Sequence, residues 1–150
     1  MTINHLSMDM FNLSRFVQAQ GTMYDDVLAE LNRGKKVNHW MWFIFPQVKG
    51  LGISSTSEYF GISGVEEAKA YLRHPILGKR LLECSEALLD IEERSATVIL
   101  GYPDDIKLRS SMSLFEFVSE PNSIFTEVLN KFFQGRRDEK TICILQGRKA

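Results

Sequence analysis

Apolar residues recur at helical spacing along most of this chain. Leu13, Phe16 and Val17 share one face of a predicted helix over 12–20, which Gly21 breaks. Thr22, with Asp25 three residues on, reads as an N-terminal cap for a second helix whose stripe is Val27, Leu28 and Leu31. Gly34 stops that helix, and Lys35 and Lys36 follow at the negative end of its dipole. Ser63 with Glu66 resembles a capping box ahead of Val65, Ala68, Tyr71 and Leu72. Pro75 opens the strongest pattern, in which Leu77, Leu81, Leu82, Cys84, Leu88 and Ile91 fall on one stripe. Ser95 caps a short segment to Leu100 that reads as helix or strand. Asp104 caps a helix carrying Ile106, Leu108, Met112 and Phe115, and 124–133 is the last clear helix, ended by Gly135. The segment 141–145 reads as a short strand or a helical end. The pattern predicts one all-α domain over 1–150, with about six or seven packed helices and little or no strand.

Composition narrows the function classes. Hydrophobic residues make 44% and charged residues 25% of 150, a globular balance. The formal net charge of -1 offers no broad basic surface for nucleic acid or for membrane docking. Cys84 and Cys143 are too few and too far apart for a disulfide framework, which suits a reducing compartment. No basic leader with an apolar stretch begins the sequence, and the longest apolar run, 40–45, is far shorter than a membrane span. A cytoplasmic protein is therefore expected.

Familiar catalytic signatures are missing. Gly50-Leu51-Gly52 starts like a dinucleotide fingerprint, but Ser55 stands where the third glycine belongs. Ser54 is not framed as a nucleophile elbow. His5, His39 and His74 are isolated, so neither metal nor cofactor is expected.

Three constellations remain. The run His39-Trp40-Met41-Trp42-Phe43-Ile44-Phe45-Pro46-Gln47 holds both tryptophans of the chain. It is either core or the aromatic wall of a pocket, with His39 and Gln47 as polar groups. The loop after Lys49 offers glycines and then Ser54 and Ser55. It is either a turn with a helix cap or a nest for an anion, with Glu58 as the nearest carboxylate. In 103–111, Asp104, Lys107 and Ser111 fall at i, i+3 and i+7 and would face the same way, beside Asp105. Capping accounts for the acids; a shared polar face would suit a ligand. The turn 135–141 reads as exposed and charged, although Asp138 and Thr141 can reach inward.

These same stretches resemble the family called domain of unknown function 1810. The likeness lies in 15–20, in the 39–47 run, in Gly50-Leu51-Gly52, Glu67-Ala68, Tyr71-Leu72 and His74-Pro75, and in Leu77-Gly78 with Arg80-Leu81. Asp104-Asp105, Lys107-Leu108, Ser110-Ser111-Met112 and the 138–141 segment extend it, so that it covers about 11–145. The resemblance implies a mainly helical fold and no established activity. Some members carry the label calpastatin; such calpain inhibitors are disordered, whereas this composition is that of a compact chain. A fainter likeness, through 77–80 and Met112, is to the NADAR group of helical N-glycosidases acting on ADP-ribose-type substrates. It implies a ligand class and transfers no catalytic residue.

The resulting expectation is an aromatic-walled pocket for a small polar or phosphorylated ligand, with N-glycosidic hydrolysis of a nucleotide-type compound as the first candidate reaction. Trp40 or Trp42 would stack on a ring, and Ser54 and Ser55 would hold phosphate. Glu58, Asp104 or Asp105 would supply a carboxylate, and His39, Gln47, Lys107 and Ser111 would complete the site. The alternative is a non-catalytic interaction module with Trp42 and Phe43 on an exposed face. Oligomeric state and protein partners are left open by the sequence.

Overall fold

The computed structural model describes residues 9–147. Among them are ten helices and no strand beyond one parallel bridge between Val48 and Ile62. The all-α expectation holds, but the helix count is higher than six or seven. The extra helices are one or two turns long, too short to generate a periodic stripe.

The elements are α1 (Ser14–Gly21), α2 (Tyr24–Arg33), α3 (Met41–Ile44), α4 (Ser55–Tyr59) and α5 (Val65–Arg73). Then come α6 (Leu77–Asp90), α7 (Ala96–Leu100), α8 (Asp104–Phe117), α9 (Ile124–Phe133) and α10 (Glu139–Leu145). Helix α8 is central: α5, α7, α9 and α10 all pack on it, while α6 bridges α2, α3, α5 and α9. Six consecutive residues of α8, Ser110 to Phe115, are buried. Three of them are serines, small enough to let neighbouring helices close in. Ile106, expected on the core stripe, is 46% exposed, because the first turn of α8 still lies at the surface.

Several ends follow the local signals. Gly34 is left-handed (φ 75°), and Ser54, Ser95 and Ser123 each accept a backbone N–H three residues ahead. Others differ. Thr22 closes α1 instead of capping α2, so the entry to α2 has no side-chain cap. Glu67, not Glu66, reaches back to the Ser63 N–H (2.8 Å), and Gly64 rather than Ser63 holds the cap position. Pro75 lies before α6, whose first N–H groups, of Ile76 and Leu77, donate to His74 Nδ1. Asp104 is the first residue of α8, after Pro103, and its carboxylate makes ion pairs instead of a cap.

Two buried polar anchors fix the fold. Arg15 pairs with Glu67 at 2.8 Å and donates to the carbonyls of Phe11, Asn12, Tyr59 and Gly61. This ties α1 to the 59–61 loop and to α5. Glu30 of α2 takes four hydrogen bonds from 37–40, which fixes the entrance to the aromatic run.

Candidate functional site

The 39–47 run is one helical turn between two loops, and it splits its aromatic residues by depth. Trp40, Met41, Ile44 and Phe45 are buried, whereas Trp42 and Phe43 are half-buried. Successive residues on a helix point about 100° apart, so a single turn cannot bury all of them on one side. Trp40 is fixed by its indole N–H, which donates to Glu30 Oε1 at 2.8 Å. Burial alone would raise the Glu30 pKa. The N–H groups of Val37, Trp40 and Asn38 outweigh it and hold the carboxyl below its ordinary value. Phe43 rests against Phe60, and its carbonyl accepts from Gln20 Nε2. His39 is exposed and lies outside this packing. Gln47 is held through its carbonyl, which accepts the Ile62 N–H at 2.9 Å.

Helix α8 brings its first turns against this run. Lys107 Nζ lies 4.0 Å from the Trp42 ring centroid, and Lys36 Nζ lies 5.3 Å from that of Trp40. Asp104 stands between the two lysines, at 2.8 Å from Lys36 and 3.3 Å from Lys107. Both indoles thus carry a cation, and one carboxylate links the cations. Asp105 turns away: it accepts from Thr97 Oγ1 at 2.6 Å and from the Ile106 N–H, tying α8 to α7.

Trp42, Gln47, Lys107, Ser110, Asp138 and Lys140 line one surface depression of about 270 Å³, with Leu51, Gly52, Pro103 and Ile106 as its less polar part. Ser110 takes the place expected of Ser111. Ser111 is fully buried and its Oγ has no hydrogen-bond partner among the described residues, because α8 is already enclosed two turns in from Asp104. Asp138, at the start of α10, accepts from Ser110 Oγ (3.2 Å), Thr141 N–H (3.2 Å) and Thr141 Oγ1 (2.5 Å). Its own N–H donates to Ser113 Oγ. Asp138 and Thr141 reach inward, as the sequence allows, while Arg136, Arg137, Glu139 and Lys140 keep the turn largely exposed.

The remaining expected residues lie elsewhere. Ser54 and Ser55 are exposed, and the Ser54 Oγ is engaged as the cap of α4. Glu58 lines a different depression of about 390 Å³, near Tyr59 and the Arg15–Glu67 pair. The 49–62 segment folds back on the Val48–Ile62 bridge, and Glu58 does not line the depression beside Trp42. Sequence reasoning missed Lys36, Ser110 and Lys140. No spacing rule finds Ser110 and Lys140, since the depression draws on 42–52, 103–110 and 138–140, and Lys36 lies outside it beside Trp40 and Asp104. Among the described residues no His, Cys, Asp and Glu side chains gather as metal ligands, and no helix is long and apolar enough to cross a membrane.

A helical domain with this aromatic run matches a known class. The model of the DUF1810 family, described as a protein of unknown function, matches residues 10–145, and the chain belongs to that family. Among solved structures it is similar to the conserved hypothetical protein Rv1873 from Mycobacterium tuberculosis, with 46% identity and a TM-score of 0.89. The likeness covers 91% of this chain and 97% of that one. No curated protein matches the chain.

Proposed function

We propose that this protein binds a small polar ligand whose planar ring packs against Trp42, in the depression between the aromatic turn and α8. The observation that carries this reading is the pairing of the half-buried Trp42 with Gln47, Lys107, Ser110 and Lys140 around one concavity. An aromatic wall with a few placed polar groups is the usual composition of a small-molecule site. The carboxylates near it are engaged: Asp104 by two lysines, Asp105 by Thr97, and Asp138 by Ser110 and Thr141. This supports binding ahead of turnover. Were the ligand a nucleotide-type compound, N-glycosidic hydrolysis would add water across its carbon–nitrogen bond, and Asp138 would be the carboxylate that lines the depression, with Asp104 next to it only through its ion pair with Lys107. Glu58 and Asp105 have less support for that role than they had in the sequence. An exposed aromatic docking face also has less support, because Phe43 packs on Phe60 and Trp42 is only half exposed.

The test is a thermal-shift and tryptophan-fluorescence screen against nucleosides, nucleotides, NAD, ADP-ribose and phosphosugars. A ligand at 100 times its Kd adds about 2.7 kcal/mol, or roughly 5–10 °C in a domain of this size. Trp40 is sealed in the core, so quenching reports on Trp42. A shift that disappears in Trp42→Leu supports the site. A panel with no shift, or a shift that Trp42→Leu leaves intact, overturns it.

A further inference from the structure

A second concavity adjoins the first. The turn after α9, Gly135-Arg136-Arg137, and the start of α10 enclose with Arg109 a recess of about 520 Å³. It meets the Trp42 depression at Asp138 and Lys140, which line both. Four of its side chains are cationic (Arg109, Arg136, Arg137 and Lys140) and two are anionic, in a chain whose formal net charge is -1.

The four cations are not equivalent. Arg137 is occupied, since its Nε and Nη2 donate to both oxygens of Glu116 at 2.6 and 2.5 Å. Asp138 faces inward to Ser110 and Thr141, and leaves Arg109 only a long approach of 3.9 Å. The Arg109 Nε is closed to solvent with no partner among the described residues, while its side chain as a whole is one-third exposed. Arg136 and Lys140 are exposed and form no ion pair among the described residues. Arg136 and Lys140 thus lack an ion-pair partner among the described residues, and Arg109 has only the long one to Asp138, so these cations remain open to an added anion although Glu139 also lines the recess. Guanidinium groups match phosphate oxygens in shape as well as charge.

We propose that this recess binds the phosphate or diphosphate group of a small ligand. Together with the ring packing at Trp42, which is the reading above and on which the combined arrangement rests, it defines a nucleotide-like ligand laid across Asp138 and Lys140. The phosphate then sits on the α10 side of the depression, opposite in placement to the serines of α4. Removing one charge-assisted hydrogen bond to the phosphate should weaken binding by about tenfold or more.

The experiment is calorimetric titration of the full chain with inorganic pyrophosphate at low and at high ionic strength, followed by adenosine as a ring without phosphate. Arg136→Ala and Arg109→Gln are compared with Lys79→Ala, which removes an exposed charge from α6. The expected result is pyrophosphate binding that salt weakens, that falls about tenfold in Arg136→Ala, and that Lys79→Ala leaves within twofold. Among the described residues Arg136 makes no side-chain hydrogen bond or ion pair, so its variant is decisive even where Arg109→Gln fails to fold. Absence of pyrophosphate binding, or an equal weakening in Lys79→Ala, overturns the recess. Adenosine binding at Trp42 without pyrophosphate binding sinks the recess alone; pyrophosphate binding with no ring ligand supports the recess and sinks the Trp42 reading alone.

Discussion

Glu30→Gln tests how the aromatic run is held. Glu30 is 2% exposed. Its Oε1 accepts from Val37 N, Asn38 N and Trp40 Nε1 at 2.7, 3.1 and 2.8 Å, and its Oε2 accepts from Asn38 Nδ2 at 2.6 Å. Glutamine keeps the shape and one acceptor oxygen. It turns the other oxygen into an amide that meets the Asn38 amide donor to donor, and it removes the charge that strengthens all four bonds. We expect a loss of about 2 kcal/mol, or roughly 4–8 °C in melting temperature. Glu30→Ala, which also leaves the Trp40 N–H unpaired beside a cavity, should cost about 4 kcal/mol. The pH dependence gives the sign. The folded carboxyl titrates below its ordinary value of 4.5, so its stabilisation is complete above the unfolded value and is lost as pH falls through the lower folded one. The gap between the wild-type protein and Glu30→Gln should thus be full at pH 7 and close in acid below that ordinary value. Urea unfolding followed by far-UV circular dichroism at a series of pH values measures it. A gap under about 0.5 kcal/mol at pH 7, or one that stays constant down to pH 3, would refute the reasoning.

Gly78→Ala should destabilise the crossing of α5 and α6, because a Cβ at that position lies 2.2 Å from the Leu72 carbonyl oxygen. Backbone must move, and a loss of about 3 kcal/mol or more in urea unfolding is expected. Burial pushes the Cys84 thiol up to about 12, so at pH 8 it should resist a thiol-specific dye until the chain is unfolded, while the half-buried Cys143 reacts first. Mass spectrometry of the labelled peptides decides the order.

The stripes of α2, α6 and α9 are legible because each spans about three to four turns and buries one face, which leaves a period in the sequence. Helix α9 has the bounds its pattern predicts, since Ser123 caps it and Gly135 follows its left-handed exit at Gln134. Helices α3, α4 and α7 span four or five residues, less than one full repeat of any stripe, so periodicity cannot settle them. Local signals misplace the side-chain caps at Thr22, Ser63 and Asp104: Thr22 closes the preceding helix, Gly64 takes the cap position after Ser63, and the Asp104 carboxylate is drawn to tertiary partners. Asp104 answers to two lysines, one of them in the loop after α2, and not to its own helix.

The candidate site divides along the same line. By itself the sequence determined the helical class and the family, and it singled out the aromatic run without settling its conformation, since these depend on local pattern and on contiguous residues. It could also name Trp42, Gln47, Lys107 and Asp138 as groups worth watching. Only the tertiary structure decided that these four share a concavity, that Ser110 and Lys140 join them, and that Trp40, Ser111 and Glu58 do not. The physical reason is that a site's chemistry depends on which surfaces remain open after the helices pack. Helix packing is set by the volumes and polar anchors of the whole core, here Arg15–Glu67 and Glu30–Trp40 among them, and no local window of sequence contains that information.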